Sequence, residues 1–115
     1  MNGEQFPHQR LDAYKLARDM AKTVFDAKIR DRELRDQAQR AGSSVFLQLC
    51  EGLPCDQPAM RANYFGRARD SLFEVVAAVD LAQVVGACDA AKAREVTVLA
   101  LRVRAMLVAL LRVRR

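Results

Sequence analysis

The sequence predicts an all-α protein: an up-down-up-down antiparallel four-helix bundle with short loops. Three observations lead there. Apolar residues recur at three- and four-residue spacing in four separate segments of the 115-residue chain. Short runs containing Gly, Pro and Asp separate those segments. Ala, Leu, Val, Arg, Asp and Glu dominate, with 5 Phe, 2 Tyr and no Trp, which favours helices over sheets. A chain of this length is one domain, residues 1–115, able to form a core without staples, with residues 1–8 expected to be loosely held.

The first helix is expected from about Gln9 to Ile29, after Pro7. Leu11, Tyr14, Ala17, Ala21, Val24 and Phe25 make its apolar face. Asp12, Lys15, Arg18, Asp19, Lys22 and Asp26 fall on the other side, a solvated face laced with weak ion pairs. The second helix starts near Asp31, a good N-cap, with Glu33 in the first turn. Its inner stripe is Leu34, Ala38, Ala41, Val45 and Leu49. Gly52 is expected at the position just past its end, and Pro54 cannot continue it. Glu51 opposes the helix dipole there and calls for a cationic partner, for which Arg69 of the third helix is expected.

The third helix begins after Asp56, with Pro58 in its first turn, and runs to about Val85 before Gly86. Phe65, Ala68, Leu72, Val75, Val76, Val79 and Ala82 share one face; Phe73, Leu81 and Val84 lie partly off it. A mid-helix Gly costs about 1 kcal/mol against Ala, so Gly42, in the Ala41-Gly42-Ser43-Ser44 cluster, and Gly66 are expected at close packing contacts.

The fourth helix is capped by Asp89 and continues to near the C-terminus. Val96, Leu99, Val103, Met106 and Leu110 are expected to face the core. Val98, Leu101, Ala105, Val108 and Leu111 make the rest of the helix apolar too. An edge helix of a small bundle keeps one polar side, so these five residues are expected to form an oligomer interface, covered by another copy of the chain. Arg102, Arg104 and Arg112 exclude a membrane helix over the same run. The N-terminal residues lack the basic start and apolar run of a signal peptide, so a cytoplasmic protein is expected.

Three cysteines, no CxxC and the single His8 exclude a conventional zinc site within one chain and argue against a disulfide framework. Cys50 reads as a small buried hydrophobe, whereas Cys55 and Cys88 fall near loops, where a redox role stays open. His8, Cys50, Glu51, Cys55 and Asp56 are the available catalytic candidates. No base stands at a workable spacing from them, and there is no Gly-rich phosphate loop. The expectation is a protein that is not an enzyme and takes no metal or cofactor.

Charge is the strongest functional signal. Lys92, Arg94, Arg102, Arg104, Arg112, Arg114 and Arg115, against Glu95, give the last 24 residues +6, while the other 91 carry −1. Such a field attracts polyanions, so these seven residues are the candidate contacts to RNA or DNA phosphates, weakly sequence-specific and salt-sensitive. No aromatic is interleaved with them in sequence, which argues against base stacking. The alternative is a structural or adaptor oligomer that binds another protein and has no nucleic-acid role, its arginines paired with acids of a neighbouring subunit.

Several residues carry a resemblance. Leu11, Tyr14 and Ala17 stand in the first helix; Gln37, Arg40, Ala41 and Ser44 in the second, which ends in Glu51-Gly52; Phe65, Ala68, Ser71, Leu72 and Glu74 in the third. In order and spacing the chain resembles the four-helix-bundle family encoded in intervening sequences of bacterial 23S ribosomal RNA genes. The accessory proteins of diversity-generating retroelements belong to the same structural group. Gln48 stands where that family usually has Asn, and Phe46 where it often has Pro. The resemblance makes Gln37, Arg40, Ser44, Gln48, Glu51, Gly52, Arg69, Ser71 and Glu74 structural-motif positions. It implies a ring-shaped homo-oligomer, a pentamer. For the retroelement members it also implies a basic surface that engages nucleic acid and a reverse transcriptase.

Overall fold

A computed structural model describes residues 8–112. Four helices, α1 (His8–Asp26), α2 (Arg32–Gly52), α3 (Pro58–Val84) and α4 (Ala90–Arg112), form a rod of 47 × 22 × 18 Å. Each packs against its neighbours in sequence, α4 closes against α1, and the diagonal pairs stay apart. This is the antiparallel bundle the periodicity predicts. The expectation of a loosely held start falls mainly on residues 1–7, outside the described residues; His8 is the first residue of α1.

The inward stripe of α1 is Ala13, Ala17, Met20 and Val24, continued by Ala27 just past its end, all at most 3% exposed. Leu11 and Phe25, expected on that face, are 37% and 49% exposed. Each residue turns the helix by about 100°, so both are rotated out of the stripe. The helix also stops at Asp26, short of the expected Ile29. Lys28 takes a left-handed φ of 54°. The chain turns there, and Ile29 is buried at the end of the core from the loop rather than from the helix.

Asp31 caps α2 as expected, its Oδ1 accepting from the Leu34 N–H at 2.9 Å. Ala38, Ala41, Val45 and Leu49 are buried. The α2–α3 seam is the most intimate of the four. Gly52 supplies one reason, and not the expected one. It is the last helical residue, followed by Leu53 in right-handed conformation. A Cβ on Gly52 would stand 2.6 Å from Cε1 of Phe65 and 3.0 Å from Cβ of Tyr64. The left-handed glycine is Gly86, φ 79°. Beyond α3, Ala87 N–H donates to Ala82 O at 2.7 Å and Gly86 N–H to Gln83 O at 3.0 Å, a Schellman ending.

The other helical glycines differ. Gly42 is buried against α1, where a Cβ would meet Val24 Cγ2 at 3.6 Å. Gly66 has nothing within 4 Å of its Cβ position, so the packing contact expected for it does not exist.

In α4 the buried residues are Ala93, Val96, Ala100, Val103 and Leu107. Val96 and Val103 match expectation. Leu99, Met106 and Leu110 are half-buried on the flank of that stripe instead. Two small residues, Ala93 and Ala100, share the buried stripe with Val96 and Val103 at helical spacing. At one end of the rod Arg30 joins the α1–α2 and α3–α4 turns. Its backbone N–H donates to Ala87 O at 2.8 Å, and its guanidinium donates to Gly86 O at 2.9 Å and pairs with Asp89 at 3.3 Å.

Candidate nucleic-acid interface

The 3–4–3–4 spacing of the buried stripe in α4 fixes which side chains point outward. Arg94, Arg102, Arg104 and Arg112 are all exposed. Arg112 also lies in the last turn, where a cation suits the helix dipole. Lys92 is half-buried near Asp26 and contributes to holding that carboxyl below its usual range, after the direct hydrogen bond from Lys22. Arg114 and Arg115 lie outside the described residues. Of the five apolar positions expected at an oligomer interface, Val98 is 49% and Leu101 59% exposed, and Ala105 is exposed as well. Val108 and Leu111 are half-buried, and Leu111 packs on the chain's own core.

Four surface grooves sort the charges. Between α1 and α4, a groove of about 590 Å³ over Leu16, Leu99 and Met106 is rimmed by Asp12 and Asp19 against Lys15 and Arg102. Nearer the Arg30 end, Arg94 and Glu95 share a second with Val98. Between α2 and α3, a third sets Arg40 against Glu74. The fourth, between α3 and α4, holds Arg69 and Arg104 with Leu72, Phe73, Val76, Ala100 and Leu101, and no carboxylate.

Arg69 is thus placed away from its expected partner. Ser44 meets Ser71, and Gly52 lies against Phe65, so the antiparallel register sets Glu51 beside the first turns of α3. Arg69 projects to the α4 side instead. Among the described residues Glu51 is exposed and forms no ion pair with it. The sign of this was available in sequence: Arg69 directly follows the core residue Ala68, on the flank shared with Val76.

Five of the motif positions do converge. Gln37, Arg40, Ser44, Ser71 and Glu74, with buried Ala41, line the α2–α3 groove of about 330 Å³. The two serine hydroxyls share a hydrogen bond of 2.8 Å across the seam. Gln48 lies on the same helix, with its Oε1 buried and without a partner among the described residues. An unmade bond of that kind costs about 1–3 kcal/mol. Phe46 packs against Tyr14 across the α1–α2 seam, ring centroids 5.3 Å apart.

Burial works against the thiolate form at Cys50 and Cys88. Burial pushes Cys50 up, with the Glu51 charge adding to it. Cys88, near the α3–α4 turn, is buried; burial and Asp89 push it up against the opposing pull of Arg30 and Lys92. Cys55 is half-buried in the α2–α3 turn. Among the described residues no group of three His, Cys, Asp or Glu could hold a metal ion. No helix of the described residues is long and apolar enough to cross a membrane.

Comparison with known families places these features. Residues 9–109 match the family described as 23S rRNA-intervening sequence protein, and the chain belongs to that family. No curated protein matches it.

Proposed function

We propose that this family member is a non-enzymatic, self-associating bundle, a ring of copies, that contacts RNA or DNA phosphates through α4 with weak sequence specificity, as a cytoplasmic accessory factor. One observation carries the reading. Arg94, Arg102, Arg104 and Arg112 stand exposed on α4, and Arg69 adds to them beside Arg104 in a groove lined by no acid. The exposed Val98 and Ala105 support self-association, because a lone rod leaves them in water, whereas Leu101 lies in the arginine groove. The same face equally suits an adaptor that binds another protein.

Filter binding of duplex DNA and of RNA at two salt concentrations separates these readings. Four contacts, from Arg69, Arg94, Arg104 and Arg112, give a log–log salt slope of about −3.6 on duplex DNA, hence about 150-fold loss over a fourfold rise in salt. Absence of binding at low salt removes the nucleic-acid reading and leaves the adaptor. Truncation before Arg112 without loss of affinity takes the tail out of the contact. Sedimentation as a monomer at micromolar concentration removes the ring.

A further inference from the structure

We propose that the α3–α4 groove receives an unpaired nucleotide of a single strand, with Phe73 as the platform for its base and Arg69 and Arg104 on the adjoining phosphates. This rests on the nucleic-acid reading above and narrows its substrate to single-stranded RNA or DNA.

Charge balance singles out the groove. Among the grooves described above, each of the others carries as many carboxylates as cations: Asp12 and Asp19 against Lys15 and Arg102, Glu95 against Arg94, Glu74 against Arg40. The α3–α4 groove brings two guanidiniums from different helices to one place and lines it with no acid. Like charges set together cannot neutralise each other, so the groove calls for an anion from outside.

The rest of the lining says what kind. Leu72, Val76 and Ala100 are carbon surface, and Phe73 stands beside them 59% exposed. Inorganic phosphate would gain nothing from that surface. A nucleotide offers both parts: a phosphate for the arginines and a flat base for the phenyl face. Stacking of this kind tolerates any base, because every base has a π-face. A duplex keeps its base faces covered, so the arrangement selects single strands. The space, about 330 Å³, suits one base with its sugar. A docked helix is about 10–12 Å across with its side chains, and would also have to supply acids to both arginines. Sequence alone argues against stacking because Phe73 is far from the α4 arginines along the chain; folding puts it beside Arg104.

The test uses the full chain with a 15-nucleotide oligo-dT or oligo-U and a duplex of equal length. Phe73→Ala is expected to weaken single-strand binding about tenfold and to leave duplex binding unchanged. Phe73→Trp is expected to keep single-strand affinity. The chain has no other Trp, and its fluorescence is expected to quench as oligo-dT binds. Arg69→Gln with Arg104→Gln is expected to lower the single-strand salt slope by about 1.4. Should Phe73→Ala leave single-strand affinity intact while the arginine variant weakens it, stacking is overturned and the phosphate reading survives. A wild-type chain that binds no nucleic acid at low salt removes both. A drop in sedimenting mass for Phe73→Ala, with unquenched fluorescence in Phe73→Trp, makes Phe73 a contact between copies and overturns the proposal.

Discussion

Gly52→Ala is the sharpest test of the packing described above. Alanine is the better helix former, and on propensity alone the change stabilises by about 0.5–1 kcal/mol. The structure reverses that sign. The new Cβ would lie 2.6 Å and 2.9 Å from two ring carbons of Phe65. That is about an ångström inside the 3.5–4.0 Å optimum between carbons. Phe65 is 1% exposed, so its ring cannot swing into solvent, and Tyr64 Cβ at 3.0 Å closes the other side. Overpacking of this kind costs about 1–3 kcal/mol, leaving a net loss of about 0–2.5 kcal/mol. Gly66→Ala provides the control, since nothing lies within 4 Å of its Cβ position. It should gain about 0.5–1 kcal/mol in the same helical background. Urea unfolding followed by circular dichroism at one fixed protein concentration compares the two directly. Phe65→Leu in the Gly52→Ala background should cost less than the sum of the single changes, because each relieves the other. If Gly52→Ala gains stability as Gly66→Ala does, the close approach of α2 and α3 at this point is wrong.

Other consequences are also measurable. Ser44→Ala leaves the Ser71 hydroxyl short of its partner and should cost about 1 kcal/mol, whereas Ser44→Ala with Ser71→Ala should be closer to neutral, a non-additivity that a double-mutant cycle in urea reads out. Asp31→Ala removes the bond to the Leu34 N–H and should cost about 1 kcal/mol in the same assay. Cys50 and Cys88 have pKa values raised in the folded protein. Their contribution is therefore complete below the ordinary thiol pKa, about 8.5, and is lost as pH rises from there through the folded value. Urea midpoints should fall over that alkaline range, and Cys50→Ala with Cys88→Ala should flatten the fall.

The fold was legible because α2 and α3 repeat their inner residues at regular spacing, and because Asp31, Pro58 and Gly86 mark ends by local chemistry. The failures have a common physical source. In α4 the more apolar Leu99 and Met106 looked like core, yet the buried stripe runs through Ala93 and Ala100, because the rotation of the helix and not hydrophobicity alone decides which side is inward. Gly52 looked like a helix stop when its missing side chain makes room for Phe65. Arg69 looked like a partner for Glu51 because one-dimensional reading fixes neither register nor the flank a side chain takes. The α3–α4 groove could not be read at all, since Phe73 and Arg104 meet only through the pairing of two helices. The motif residues Gln37, Arg40, Ser44, Ser71 and Glu74 could be named in sequence; their convergence across one seam comes from the antiparallel register.

The bond network of Arg30 gives the rod two unlike poles. One has its two turns tied together by a single side chain and its backbone; the other carries the turn at residues 53–57. Arg69, Phe73, Leu101 and Arg104 sit near the midpoints of α3 and α4, on regular helix rather than on either turn. A strand arriving there meets walls already in position, so little of its binding energy is lost to ordering the protein.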